Sequence, residues 1–284
     1  MLDWFTDDRA LLVLSTAIYT GVFLLSLGQL FRNERYGRPL KYIALWGAFI
    51  VQFMALSVRG KEIGGCPLGN PMEIIQFLTW SAVFLFLVTF PFYRLNLLGI
   101  FVAGFASILN ILSLAVPGWD YSYEERVFGG NPWIELHAAL AMFSYGMLGV
   151  LALISIMFLI QQRGLKAKRS KPIFNFLPSI QELDMVGSRL LITGIILMTF
   201  ALGVGFNFIL KDPDTVSISK FGVTTALWIA YIVVFILKWR NILRPQRFAM
   251  ASITLFAGLL ISLGPVSGDP KDELGEQPLL ETNG

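Results

Sequence analysis

The chain has 284 residues, of which 55% are hydrophobic and only 14% charged, against roughly 25% charged in average soluble domains. Such a composition cannot cover a water-soluble surface, which excludes a soluble enzyme, a disordered chain and a disulfide-built secreted domain. With 1 Cys and 1 His, neither an internal disulfide nor a zinc site of thiolates and imidazoles can be assembled.

Crossing a hydrocarbon core takes about 20 helical residues (range about 17–25). Eight apolar runs meet that length, at residues 10–31, 42–58, 74–93, 95–116, 136–162, 190–210, 221–237 and 248–264. None contains Asp, Glu, Lys or Arg, and the runs lack the alternation of membrane strands. The expected fold class is therefore all-α, a polytopic membrane bundle of eight transmembrane helices. The first run follows an acidic leader (Asp3, Asp7, Asp8) with no basic region or small-residue cleavage site, so it reads as a retained helix.

The net charge of +3 suggests nucleic acid only until the charges are located. Most of the 22 basic residues follow runs one, three, five and seven: Arg32, Arg35, Arg38 and Lys41; Arg94; Arg163, Lys166, Lys168, Arg169, Lys171 and Arg189; Lys238, Arg240, Arg244 and Arg247. Basic loops stay cytoplasmic, so both termini are expected outside and no nucleic-acid partner is implied. Residues 1–264 read as one transmembrane domain, and 265–284 as an acidic tail, disordered outside the membrane. Within the longest inner loop, residues 177–183 predict a short interfacial helix leading into the sixth span.

Pumps and transporters usually carry ionisable groups inside the bundle, and the eight runs have none, which disfavours coupled transport. No H-E-x-x-H, G-x-S-x-G or Gly-rich phosphate loop occurs, so no catalytic residue is assigned. The single histidine, His137, follows an outer segment dense in aromatics: Trp119, Tyr121, Tyr123, Phe128 and Trp133. At helical spacing it heads a face of small residues, Ala141, Ser144, Ala152 and Ser155, interrupted by Leu148. Two readings stand side by side. Small residues leave room for a flat ligand, and neutral imidazole is a common axial ligand to haem iron. Small residues also permit close helix packing in membranes, with the histidine bonded to a neighbour. The outer basic residues Arg59, Lys61, Arg126, Lys211 and Lys220 either pair with an anion such as a haem propionate or are solvated. Glu73 reads as a favourable charge at a helix N-terminus. Cys66 reads as a small residue in a Gly/Pro turn, or as a thiol acting on an external partner.

Three stretches together carry a resemblance. Pro67-Leu68-Gly69-Asn70-Pro71-Met72-Glu73, followed by Phe77-Leu78-Thr79-Trp80, resembles a P-L-S-N-L-Y-E-S run leading into F-L-S-W. His137 with Ser144-Tyr145 resembles an H-V-S-L-x-x-L-S-Y helix. Leu177-Pro178-Ser179-Ile180-Gln181-Glu182-Leu183-Asp184, then Arg189-Leu190-Leu191 and Gly194, resembles L-P-S-L-E-x-L-D before a Gly-containing span. These motifs belong to the integral membrane cytochrome c assembly proteins, CcsA-like, and the similarity runs roughly from residue 66 to 240.

The resemblance implies a haem-handling protein of cytochrome c maturation, with non-covalent haem at the outer face of a bacterial inner membrane. It implies His137 as axial ligand; Trp119, Trp133, Arg126 and Lys220 are the supporting candidates among the outer residues, the tryptophans reading equally as an interfacial belt. Other cytochrome c assembly membrane proteins are the implied partners, besides haem and the lipid bilayer. The family's synthase subunits carry a tryptophan-rich outer segment flanked by two haem-ligand histidines. Here Lys211, Thr215, Ser217 and Val223 stand at the tryptophan positions and Ile218 at the aspartate, while Lys220 and Trp228 remain. The second histidine is absent. The pattern is similar to the shorter HemX-like branch, and any synthase activity would need a partner protein. The competing expectation is a membrane partner or regulator of the same fold without haem.

Overall fold

The computed structural model describes residues 7–32, 38–93, 97–116, 118–121, 132–167, 178–211 and 218–266. These form eight helices: α1 (Asp8–Arg32), α2 (Arg38–Ile63), α3 (Pro71–Tyr93), α4 (Leu98–Ala115), α5 (Pro132–Lys166), α6 (Ile180–Lys211), α7 (Ile218–Trp239) and α8 (Pro245–Val266). All eight are long and apolar enough to cross a membrane, and the described residues contain no strand. The tail expected over 265–284 lies outside the described residues, apart from the end of α8.

Helix starts follow local chemistry. Asp7 accepts the Arg9 and Ala10 amides at 3.0 and 3.3 Å, capping α1. Pro71, Pro132 and Pro245 open α3, α5 and α8, where a missing N–H costs nothing. Ser179 accepts the Glu182 amide at 3.2 Å and starts α6. The short interfacial helix expected at 177–183 is not separate: from Ile180 onward the segment is the first turn of α6. Leu183 and Val186 are buried and no proline interrupts the run, so the helix continues straight into the membrane span.

α5 is the central helix and the most buried of the eight. It packs against α6, α3 and α8, while α1 packs on α2 and α4, and α3 joins the two halves. Small residues set these distances. A Cβ on Gly146 would lie 2.2 Å from Ser81 Oγ of α3, and one on Gly194 would lie 2.9 Å from Leu148 of α5. The exposed surface carries Leu25, Phe200 and Ile261, as a lipid-facing surface does.

The first four helices also share an uncharged polar core. Gln52 donates to the Gln76 side-chain oxygen at 2.7 Å and to Thr79 Oγ1 at 3.1 Å, and accepts from Tyr19 at 3.1 Å. Gln76 donates to Ser113 at 2.9 Å, and Thr79 reaches Asn110 at 2.5 Å. All six residues are buried. With no water in the hydrocarbon, such groups bond to one another, leaving only Asn110 Nδ2 of this set without a partner among the described residues, and fix the relative rotation of the helices.

Candidate functional site around His137

His137 sits in the second turn of α5 and turns toward α6. Its Nδ1 lies 2.6 Å from the carbonyl oxygen of Ala201. A carbonyl only accepts, so Nδ1 carries the proton and donates. In the neutral ring this leaves the lone pair on Nε2, which bonds to no described residue. The imidazole rests on Gly205, one helical turn beyond Ala201: a Cβ there would lie 2.7 Å from Cε1 and 3.0 Å from Nδ1.

The small-residue face below His137 is filled. Ala141, Ser144, Ala152 and Ser155 are buried, and Ser144 donates to the Gly194 carbonyl at 3.3 Å. Partners on α6 fall in number as those on α5 rise, from His137 on Gly205 to Leu148 on Gly194 and Leu151 on Gly187, so the helices are antiparallel and in close register. Along that face the described residues of α5 and α6 pack closely, as small residues in membrane helices allow.

The other candidate residues separate. Trp133 lies one turn before His137 on α5 and is 63% exposed. Trp119 packs instead with Leu11, Leu12, Ala55 and Met72, in a cluster built by α1, α2 and α3. Arg126 lies outside the described residues. Lys220 falls in the first turn of α7, and its side chain is not described. Ala201 and Gly205 were not singled out in the sequence, although Gly187, Gly194 and Ala201 recur every seven residues along α6, a spacing that marks a contact face.

Arg59 is not available to a propionate. Its Nε lies 2.5 Å from Glu73 Oε1, one terminal nitrogen lies 2.5 Å from Asp8, and the other pairs with Asp120. The P-L-G-N-P-M-E motif builds this knot. Asn70 Oδ1 accepts the Glu73 amide at 2.9 Å, and Glu73 Oε2 accepts the Gly69 amide at 2.7 Å, a reciprocal cap on α3. Asn70 also donates to the Tyr121 carbonyl at 3.1 Å. The motif thereby ties α1, α2, α3 and the segment after α4 together. Cys66, beside it, has its thiol pushed up to about 12 by burial first, then by Glu135 and Glu73. That makes it a packing residue, since the thiolate is the reactive species.

At the opposite end, the Leu177–Asp184 motif has a comparable role. Asp184 Oδ1 lies 2.5 Å from Lys238 Nζ of α7, which also stands 3.7 Å from the centre of the Phe248 ring of α8. Ser179 caps α6 and Asp184 locks it to the neighbouring pair. Trp228, retained from the tryptophan-rich pattern, donates to Thr199 at 2.9 Å and joins α7 to α6.

The family model for cytochrome c assembly proteins matches residues 68–264, from the capping motif of α3 to the end of α8. The chain belongs to the cytochrome c assembly protein family. It is 24% identical over 196 residues to protein HemX of Brevibacillus brevis, covering 67% of this chain and 71% of that protein. It is 30% identical over 157 residues to cytochrome c biogenesis protein CcsA of Nostoc punctiforme, covering 55% of this chain and 43% of that protein. To CcsA of Chlamydomonas reinhardtii it is 26% identical over 167 residues, 41% of that protein. The chain thus spans less than half of the two CcsA proteins and about two thirds or more of HemX. It is a multi-pass integral membrane protein of cytochrome c assembly.

Proposed function

We propose that this chain holds haem non-covalently at the His137 end of the bundle, as one component of cytochrome c maturation. The observation that carries the reading is the His137–Ala201 hydrogen bond at 2.6 Å. A metal-ligating histidine almost always donates its second N–H to a carbonyl or carboxylate, which fixes tautomer and ring orientation. The donor set fits haem and not a free metal ion, because no group of three or more His, Cys, Asp or Glu is poised for a metal among the described residues. Haem needs one axial nitrogen and apolar or aromatic contact, and His137 Nε2 with Trp133 supplies both types.

Haem, when bound, supplies the group that is later attached to a cytochrome. This chain would bind and orient it through Nε2, with any further ligand to come from a partner. With Arg59 committed to carboxylates, Lys61, Arg126, Lys211 and Lys220 are the remaining candidates for the propionates. The basic loops support an outer position for the His137 end by the charge rule, and a bacterial inner membrane is the membrane we propose. The partners are then other membrane proteins of cytochrome c assembly, and attachment chemistry belongs to them.

Complementation tests this. In a strain lacking its own copy, the wild-type chain is expected to restore membrane c-type cytochromes and His137→Ala is not, at equal protein level. Full restoration by His137→Ala would favour the alternative, a haem-free partner or regulator.

A further inference from the structure

We infer that Gly205, with the Ala201 carbonyl, is the positioning element of His137, holding the ring as the Nδ1–H tautomer so that Nε2 is the ligating atom. The inference deepens the haem reading and rests on it for its functional meaning. The geometry itself stands apart from haem.

The argument starts from the α5–α6 interface. The two helices approach closely along their length because α6 offers Gly187, Gly194 and Gly205 to side chains of α5. At the first two positions the α5 side chains are apolar, Leu151 and Ile154 at Gly187 and Leu148 and Met147 at Gly194. At the third it is His137, whose ring occupies the space a Cβ would take. A substituent 2.7 Å from Cε1 is closer than real Cβ contacts come. The ring would have to swing away, and the 2.6 Å bond to Ala201 would be lost with it. Gly205 therefore acts on His137 by leaving room. By contrast, a Cβ on Gly203, two residues away on α6, meets nothing within 4 Å.

The tautomer matters because the two ring nitrogens exchange roles. With Nδ1–H bonded to a carbonyl, Nε2 presents its lone pair and the ring gains basicity as a ligand. With the proton on Nε2, the lone pair is on Nδ1, on the side that faces α6.

The chain has 1 His, so 15N-histidine labelling, with purification through a tag free of histidine, reports one imidazole. In the haem-free wild type at about pH 8, where an ordinary histidine is neutral, nitrogen shifts are expected to show the Nδ1–H tautomer. Gly205→Ala should shift the ring toward the Nε2–H form and weaken haem binding about 10–100-fold, the usual cost of losing a partner of a ligating histidine. Gly203→Ala should leave both unchanged. Thermal unfolding of both variants shows whether the fold is retained, and the wild-type tautomer needs no variant at all. An Nε2–H tautomer in the wild type, or a folded Gly205→Ala with unchanged tautomer and haem affinity, would overturn the inference. The haem reading fails differently: wild type and His137→Ala would then bind haem equally, or not at all, whatever tautomer the wild type shows.

Discussion

Removing the Arg59 guanidinium should be the most damaging single change at the His137 end outside the α5–α6 interface. Arg59 is 14% exposed, and its three carboxylates are exposed to different degrees: Glu73 1%, Asp8 16% and Asp120 24%. Deleting one partner of a buried pair costs about 3–5 kcal/mol, because the remaining charge is left uncompensated. Glu73 keeps the Gly69 amide at 2.7 Å, while Asp8 and Asp120 regain hydration, where pairs are worth about 0–1 kcal/mol. The loss for Arg59→Ala therefore falls at the low end, about 3 kcal/mol. That corresponds to a melting point lowered by roughly 5–10 °C for a chain of this size. Thermal unfolding in detergent, followed by near-ultraviolet dichroism, measures it. Glu73→Gln in the Arg59→Ala background should recover part of the loss, an interaction of about 1–3 kcal/mol. A melting point within about 1 °C of wild type would refute the reasoning, showing the four groups to be independently solvated.

Cys66 should resist maleimide at neutral pH and react only as pH climbs toward 12, because its thiol is pushed up from 9.0 to about 12. The sign for stability follows: the fold favours the thiol form, so this contribution is intact below pH 9 and is lost as pH rises through 12. Labelling rate against pH in native and denatured protein checks both statements. Asp184→Ala should cost about 1 kcal/mol, at the upper edge of solvent-accessible pairs, because Lys238 keeps the Phe248 ring and its long stem can reach water. Hydrogen exchange should quicken at the end of α7 and the turn to α8, and unchanged exchange there would show that Asp184 does not hold α7.

Hydropathy made all eight spans legible, because the bilayer demands length and apolarity of each helix separately. Ends were less legible. α5 and α6 run past the apolar runs at 136–162 and 190–210, since Pro132 and Ser179 start them earlier than hydropathy does. The Asn70 and Glu73 spacing was readable as a helix start. The Arg59 knot was not, because its partners lie 14, 51 and 61 residues away. The Gln52 core was invisible for the same reason, since each glutamine looks like an isolated polar residue in an apolar run. At the site, His137 stood out as the only histidine, but what holds it did not. Ala201 contributes a backbone carbonyl, which has no sequence signature, and Gly205 contributes the absence of a side chain. Trp119 stood near His137 in the list of outer aromatics, yet it packs with α1 and α2, because an aromatic-rich segment does not specify which helices it covers.

Haem titration of purified wild-type protein beside His137→Ala, followed by absorption spectroscopy, tests the central claim most directly. The account predicts a saturable Soret band in wild type that is lost or displaced in His137→Ala, with both proteins equally folded. The same band at the same haem affinity in both would contradict it, and so would the absence of any band in wild type.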